Sequence, residues 1–366
     1  MSEFSAILQA YLPLGAVAFG VALVATPGAM ALARRLDIMD HPDTFLKPHA
    51  RPTPYLGGLA IAVGWAAALV GAIAMKHLPL MTGLYLINGG LAIALIGMVD
   101  DARHLAPKVR LLACVVIALA VMLSVQVGQQ SISNLGAPLG LILPEKGFAG
   151  IASLLFGLFV ILGACNSTNL IDGLDGLCAG VSAIVAFGYY LLAADLAVYD
   201  AELGGHKLRL VLAIAVCGAS LGFLFWNFNP ARIFMGDAGS LLLGFCMGLL
   251  IMSFADAPGV RWLLAAIVVF TVPIFDTALA IFRRWRSGKP LFVGDRSHFY
   301  DQLVQRGCSV RVTAIICYLL AGVSVAAAIY LARMRGQQQP LVAFAAWWIL
   351  VSLLATSLGF TRPEKK

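Results

Sequence analysis

The sequence predicts an all-α fold: a polytopic integral membrane protein of about eleven transmembrane helices, folded as a single domain over residues 1–366. Three observations carry this. The composition is 61% hydrophobic, with a mean hydropathy of +0.91. Only 12% of residues are charged, where a soluble domain carries about 25%. Apolar runs long enough to cross about 30 Å of hydrocarbon recur along the whole chain.

The first run, 6–33, lies in a stretch uncharged from Phe4 to Ala33. It is too long for a signal-peptide core and has no basic leader before it, so it reads as a retained helix with a kink at Pro27-Gly28. The second, 56–75, takes its start from Gly57-Gly58, and the third, 82–98, stops where Asp100-Asp101 begin. The run 111–128 follows Arg110, and 148–165 ends at the polar stretch NSTNLIDGLDG. After Gly176 comes 177–194; 208–226 closes at Asn227, and 239–255 opens after Met235-Gly236-Asp237. The ninth run, 260–282, ends on Arg283-Arg284, and 312–332 and 341–360 complete the set. Connections are short and no soluble domain is inserted. Seven cysteines show no paired spacing and lie mostly in apolar runs, so they read as small core residues rather than a disulfide or zinc framework.

The basic residues orient the chain. The loops after odd-numbered spans, together with the C-terminal tail, hold 18 of the 25 Lys and Arg. By the positive-inside rule these segments face the cytoplasm, which puts the N-terminus outside and the C-terminus inside. Twelve of the 18 Asp and Glu lie at or beside the same segments. Carboxylates gathered on the face already rich in cations predict one polar site at the cytoplasmic ends of several helices.

Five motifs populate that face. In GMVDDARHLAPKVRL, Asp100 and Asp101 are adjacent carboxylates that repel unless a cation lies near them. Hard oxygen ligands of this kind suit Mg²⁺, although a solvated helix cap explains a lone pair equally well. In NSTNLIDGLDGL, Asn166, Asn169, Asp172 and Asp175 recur every three residues, which on a helix or tight turn places them near one face. A simple cap explains one of these aspartates but not the periodic set. In WNFNPARIFMGDAGS, Asp237 opens the eighth span, where free backbone N–H groups favour an anion such as phosphate. The plainer reading of Asp237 is an N-cap, and of Phe234 packing, the alternative being a stack on a base. The loop MDHPDTFLKPHARPTPYLGG supplies Lys47, His49 and Arg51 as cations able to clamp a diphosphate. In DRSHFYDQL, Arg296 and His298 accompany Asp295, whereas most other cations of that loop are topology signals or lipid-headgroup contacts.

HPDTFLKPHARPTPYLGG, VDDARHLAPKVRL, NSTNLIDGLDGL, NFNPARIFMGDAGS, PIFDT and DRSHFYDQL occur in this order over about residues 35–310. In this the chain resembles the polyprenyl-phosphate N-acetylhexosamine-1-phosphate transferase family, which also includes the MurNAc-pentapeptide translocase. The resemblance implies ten or eleven helices around a cytoplasmic-side active-site cleft in a bacterial inner membrane. It implies attack of a polyprenyl (undecaprenyl) phosphate on the β-phosphorus of a UDP-N-acetylhexosamine, most simply UDP-GlcNAc, with release of UMP in a cell-envelope polysaccharide pathway. Mg²⁺ is the implied cofactor, with Mn²⁺ able to substitute. The implied partners are the two substrates and the bilayer, with no nucleic acid and with a homodimer left open.

By the same matching, Asp100, Asp101 and Asp237 are the catalytic set, with Asp237 and Asp101 on the metal. A base role for Asp100 is not needed, because the second ionisation of a phosphate monoester lies at about pH 6. Asn169, Asp172 and Asp175 are expected to line the nucleotide-sugar cleft, Asn227 and Phe234 to hold uracil, and Lys47, His49, Arg51, Arg296 and His298 to contact phosphates or sugar. One departure concerns the sugar: hexosamine members carry a His-x-His-His stretch after Asp-Arg, and here it reads His298-Phe299-Tyr300-Asp301. The alternatives are a phospho-MurNAc-pentapeptide transferase or, from another class, a transporter or flippase. Transport predicts ionisable residues near mid-span at broken helices, and the proposed spans are nearly free of them, Asp276 being the main exception.

Overall fold

The computed structural model describes residues 3–40, 52–137, 147–199, 206–288, 298–336 and 338–361. Over these the chain is almost entirely helical. Its elements in order are α1 (Glu3–Arg35), β1 (Met39–Asp40), β2 (Thr53–Pro54), α2 (Gly57–Ala74), α3 (Leu80–Arg103), α4 (Pro107–Val125) and α5 (Ser131–Gly136). There follow α6 (Phe148–Leu170), α7 (Leu177–Tyr199), α8 (His206–Asn227), α9 (Gly236–Ala255), α10 (Arg261–Val269), α11 (Thr271–Arg286), α12 (Phe299–Gln305), α13 (Val310–Ala332) and α14 (Gln339–Ser357). Lys47, His49, Arg51 and Arg296 lie outside the described residues.

Ten of these helices are long and apolar enough to cross a membrane, eleven if α10 and α11 are taken as one span. Only helices can satisfy every backbone polar group in hydrocarbon without a partner strand, so a chain of this hydropathy has no other open-ended solution. The protein is a multi-pass membrane protein. All eleven predicted runs correspond to helices, and α1 passes unbroken through Pro13 and Pro27.

The ninth run needs correction: 260–282 is two helices bent by 72° at Phe270. Pro273 supplies the reason, since its ring clashes with the carbonyl of residue 269 and it has no N–H to return. The break carries no ionisable group; Asp276 lies beyond it, towards the cation-rich end of the chain's spans.

α9 is the hub. Every residue of it except Asp237 is buried, and α2, α3, α6 and α10 pack around it. Close packing in lipid relies on small residues, because apolar side chains gain little from leaving hydrocarbon. Accordingly, a methyl at Gly244 would lie 2.5 Å from the Cα of Cys165 in α6. Outside the hub, α1 packs on α2 and α8, and α8 on α7. The cysteines are all free, six of them buried and Cys308 half-buried.

At the cation-rich end the chain between α1 and α2 forms a short antiparallel pairing of β1 with β2. It then runs on against the chain before α9. Phe234 N donates to Pro54 O, Gly57 N to Phe234 O and Gly58 N to Met235 O, at 2.8–2.9 Å. Gly58 permits this approach, because a Cβ there would lie 2.2 Å from Gly239 N.

Candidate active site

The site is made of helix ends. α3 finishes at Asp100-Asp101-Ala102-Arg103, and His104 in a left-handed conformation (φ 49°) turns the chain into α4 at Pro107. The turn lets Leu105 N donate to Asp100 Oδ1 at 2.7 Å. It also returns Arg110, one turn into α4, against the end of α3. Arg110 Nη1 donates to Asp100 Oδ2 at 2.6 Å and to Asp237 Oδ2 at 2.7 Å. One guanidinium nitrogen therefore stands between two carboxylates 137 positions apart in sequence, as residues 100 and 237.

Asp237 is held from its other side. Asn169, at the end of α6, donates through Nδ2 to Asp237 Oδ1 at 2.6 Å and to Ser240 Oγ at 3.0 Å. Ser240 Oγ donates in turn to Gly236 O at 3.1 Å.

Asp101 faces the start of α9. Its Oδ1 accepts from Asp237 N at 2.9 Å and its Oδ2 from Ala238 N at 3.3 Å. It thus caps α9 from another helix, as a carboxylate at the positive end of the helix dipole should. The sequence suggests those N–H groups are free for phosphate; in the structure Asp101 occupies two of them. Gly236 makes room: its φ is +71°, and a Cβ on it would lie 2.6 Å from Asp101 Oδ2.

The expectation that Asn166, Asn169, Asp172 and Asp175 share a face is also corrected. α6 stops at Leu170, so the helical period ends midway through the set. Asn166 bonds its own helix at Leu162 O, while Asn169 reaches Asp237. Asp175 Oδ2 accepts from Asn229 Nδ2 at 2.8 Å and from Ala231 N at 3.0 Å, holding the segment before α9.

Asp172 remains at the cluster. It keeps a partial opening to solvent and has no hydrogen-bond partner among the described residues. Desolvation raises its carboxyl well above the ordinary range, and the charges of Asp237, Asp101 and Asp175 raise it further. Tyr55, just past β2, lies under the same influence. Burial first, then Asp101, Asp172 and Asp237, push its hydroxyl up, so it stays protonated.

Asn227 and Phe234 sit beside this cluster. The amide of Asn227 is buried and committed: Oδ1 accepts from Gly176 N at 3.0 Å and Nδ2 donates to Ile233 O at 2.9 Å. Phe234 is half-buried, its ring edge-on to Tyr55 with centroids 6.4 Å apart.

His298 is brought in by the kinked span. Its Nδ1 lies 2.6 Å from Asp276 Oδ2 on α11, and Phe299 N donates to Asp276 Oδ1 at 2.6 Å. His298 also stacks on Tyr300, with centroids 5.4 Å apart. Tyr300 OH donates to Leu170 O at 2.8 Å, which ties α12 to the end of α6 beside Asn169. Asp301 closes a capping box with His298 at the start of α12.

Four residues here were not singled out from the sequence as site residues: Arg110, Tyr55, Asp276 and Tyr300. Arg110 had a signal, being a cation one helix start beyond an acidic pair. Tyr55 had none, because its place depends on the pairing of 54–58 with 234–235.

Four carboxylates, Asp100, Asp101, Asp172 and Asp237, thus converge with Arg110 as the cation among them. Among the described residues no three His, Cys, Asp or Glu stand together at metal-ligand spacing. This fits Mg²⁺ nonetheless, which usually takes one or two carboxylates and completes its shell with water and phosphate oxygens. The donors are all hard oxygens, and Asp172 has no hydrogen-bond partner among the described residues.

Comparison with known proteins bears on this arrangement. The profile described as glycosyl transferase family 4 matches residues 83–255, which hold Asp100, Asp101, Arg110, Asn169, Asp172, Asp175 and Asp237. The chain is 33% identical over 299 residues to the probable undecaprenyl-phosphate N-acetylglucosaminyl 1-phosphate transferase of Bacillus subtilis (strain 168), covering 81% of this chain and 78% of that protein. It is 32% identical over 320 residues to the decaprenyl-phosphate N-acetylglucosaminephosphotransferase of Mycolicibacterium smegmatis, covering 81% and 73%. With the phospho-N-acetylmuramoyl-pentapeptide-transferase of Endomicrobium trichonymphae it shares 33% over 288 residues, covering 72% and 76%.

Proposed function

The chain belongs to glycosyl transferase family 4, and from that premise we propose that it transfers GlcNAc-1-phosphate from UDP-GlcNAc to polyprenyl phosphate, releasing UMP, with Mg²⁺ as cofactor. The observation that carries this reading is the convergence of Asp100, Asp101, Asp172 and Asp237 at helix ends on the cation-rich face. One substrate lives in the bilayer and the other in water, so the chemistry belongs where spans end. The positive-inside distribution supports a cytoplasmic location for that face and the C-terminus, with the N-terminus outside, and the membrane we assign is a bacterial inner membrane.

In the reaction, an oxygen of the lipid phosphate forms a bond to the β-phosphorus of the UDP-sugar, and the bond from that phosphorus to the bridging oxygen breaks. UMP leaves with the electron pair. The nucleophile is already ionised near neutral pH, its second pKa being about 6, so a general base is unnecessary. The demands on the protein are positioning and charge neutralisation. Asp237 and Asp101 would hold Mg²⁺, which would supply positive charge at the phosphates.

Asn169 fixes the orientation of Asp237, and Arg110 keeps Asp100 and Asp237 from separating. Asp172 offers a further carboxylate towards the same space. Asp175 and Asn227 act one step back, by holding the segment that carries Phe234, and Phe234 remains assigned to the uracil by motif. His298, fixed by Asp276 and stacked on Tyr300, is assigned to the sugar-phosphate end by motif. Lys47, His49, Arg51 and Arg296 remain assigned to phosphate or sugar by motif. The pentapeptide transferases are a weaker match, since their similarity spans less of this chain.

The test is to incubate purified protein in nanodiscs with polyprenyl phosphate and UDP-GlcNAc radiolabelled at the β-phosphate. Label should pass into lipid only with a divalent cation, Mg²⁺ best and Mn²⁺ in substitution. A folded protein that transfers label from no UDP-N-acetylhexosamine overturns the reading.

A further inference from the structure

A cavity of about 430 Å³ opens beside the site, between the ends of α1 and α8. Its floor is Pro52 with the strand β2, and its walls carry Met30, Trp226, Arg34 and Arg232. Among the described residues no carboxylate lines it. Both arginines are exposed, and neither has an ion-pair partner among the described residues. By contrast, Arg110 in the neighbouring cluster is bonded twice to carboxylates.

The walls are held in place. Trp226 Nε1 donates to Leu23 O on α1 at 3.0 Å, which fixes the indole. Arg232 N donates to Trp226 O at 2.9 Å, and its guanidinium lies 5.5 Å from the centroid of that ring. Thr53 and Pro54 are held by the β1–β2 pairing and by Phe234 N. A guanidinium pair on a rigid frame suits the planar fork of contacts that a phosphate offers.

The surroundings identify the bearer of that phosphate. Beside the cavity the outer faces of α1 and α8 are apolar and uncovered: Val24 is 76% exposed and Phe225 69%. Tryptophan at such a boundary marks the headgroup level of a bilayer. The ligand that matches is therefore amphiphilic, with a phosphate at the arginines and acyl chains along α1 and α8. We propose that this cavity binds the headgroup of an anionic phospholipid, a phosphodiester with its glycerol, as a site separate from the reacting carboxylates. The volume lies within the range of small-molecule sites, about 300–1,000 Å³, and exceeds what a bare phosphate fills. A phosphate held here meets none of the four clustered carboxylates, so the site does not depend on the transferase reading.

The floor gives the site a consequence. Pro54 O accepts from Phe234 N, two residues before Gly236, so a headgroup seated on Pro52–Pro54 braces the segment that leads into α9.

Native mass spectrometry of the full chain released from mixed vesicles tests this directly. With equal phosphatidylglycerol and phosphatidylcholine, the wild type should retain phosphatidylglycerol. The double variant Arg34→Gln, Arg232→Gln should lose that retention about tenfold, the equivalent of one charge-assisted contact. Arg335→Gln, which removes an exposed cation at the other end of the bundle, should leave it unchanged. A thermal melt of the double variant within a few degrees of wild type keeps the comparison clean, and if it melts lower, Arg232→Gln alone serves. Equal retention in wild type and variant overturns the site. Displacement of phosphatidylglycerol by farnesyl phosphate at equal concentration overturns the phospholipid assignment in favour of a polyprenyl-phosphate subsite. Displacement by soluble glycerophosphate overturns the requirement for a lipid.

Discussion

Gly236→Ala removes no functional group, yet the geometry predicts a double effect. Residue 236 has φ +71°, a conformation that costs an L-residue about 1–2 kcal/mol. The new Cβ would lie 2.6 Å from Asp101 Oδ2, and both oxygens of that carboxylate are held by Asp237 N and Ala238 N. Something has to move, and displacing Asp101 forfeits a helix cap at about 1 kcal/mol more. The expected loss is therefore about 2–3 kcal/mol, seen as a melting temperature several degrees lower in nanodiscs. Transfer should fall further than stability explains, because the displaced group is one of the converging carboxylates. Gly163→Ala is the control: it sits in α6 with nothing within 4 Å of its added methyl, so transfer should stay at wild type and the melting temperature should not fall, since alanine is the better helix former. If Gly236→Ala matches the control in melting and in transfer, the capping of α9 by Asp101 is not what holds the site together.

Further outcomes follow from the same geometry. Asp237→Asn should abolish transfer while the protein still accumulates in membranes and melts near wild type; near-normal turnover removes Asp237 from the metal role. Arg110→Gln takes away the cation bridging Asp100 and Asp237, so Mg²⁺ should raise the melting temperature of this variant more than that of wild type, and an equal increment counts against shared carboxylates. Asn169→Ala frees Asp237 Oδ1, and the Mg²⁺ concentration for half-maximal transfer should rise; an unchanged titration means Asn169 does not orient that carboxylate. At the opposite end, burial raises the Asp256 carboxyl despite its hydrogen bonds from Gln130 N and Gly128 N. The folded state then holds a proton that the unfolded chain releases near pH 4. This part of the stability is present at acid pH and is lost as pH rises above about 4 towards the raised value. Melting scans against pH should show the decline, and Asp256→Asn should flatten it.

The aspartates illustrate how far local reading reaches. Asp100, Asp101 and Asp237 could be singled out because a carboxylate at the end of an apolar span is costly unless it has a task or a partner. Their partners could not be read, since Arg110 and Asn169 reach them only when α3, α4, α6 and α9 end at one level. The three-residue period of Asn166, Asn169, Asp172 and Asp175 promised a shared face, but period has meaning only while the helix continues, and α6 ends at Leu170. The ninth span misled in the opposite way: hydropathy sees a continuous apolar run, whereas Pro273 breaks it and delivers Asp276 to His298.

Hydropathy, charge placement and proline chemistry act through the residue and its near neighbours. They therefore settled, from the sequence alone, that this chain crosses a membrane about eleven times and gathers most of its charged groups at one end. Which of those groups touch is a question of packing. Gly58 and Gly236 let backbones and a carboxylate approach where any side chain would collide. Only the assembled bundle decided that Asp101 caps α9, that Asp175 holds a loop, and that Arg110 lies between two acids. Contacts between residues more than a hundred positions apart depend on helix ends coming to the same depth, and no local pattern encodes that depth.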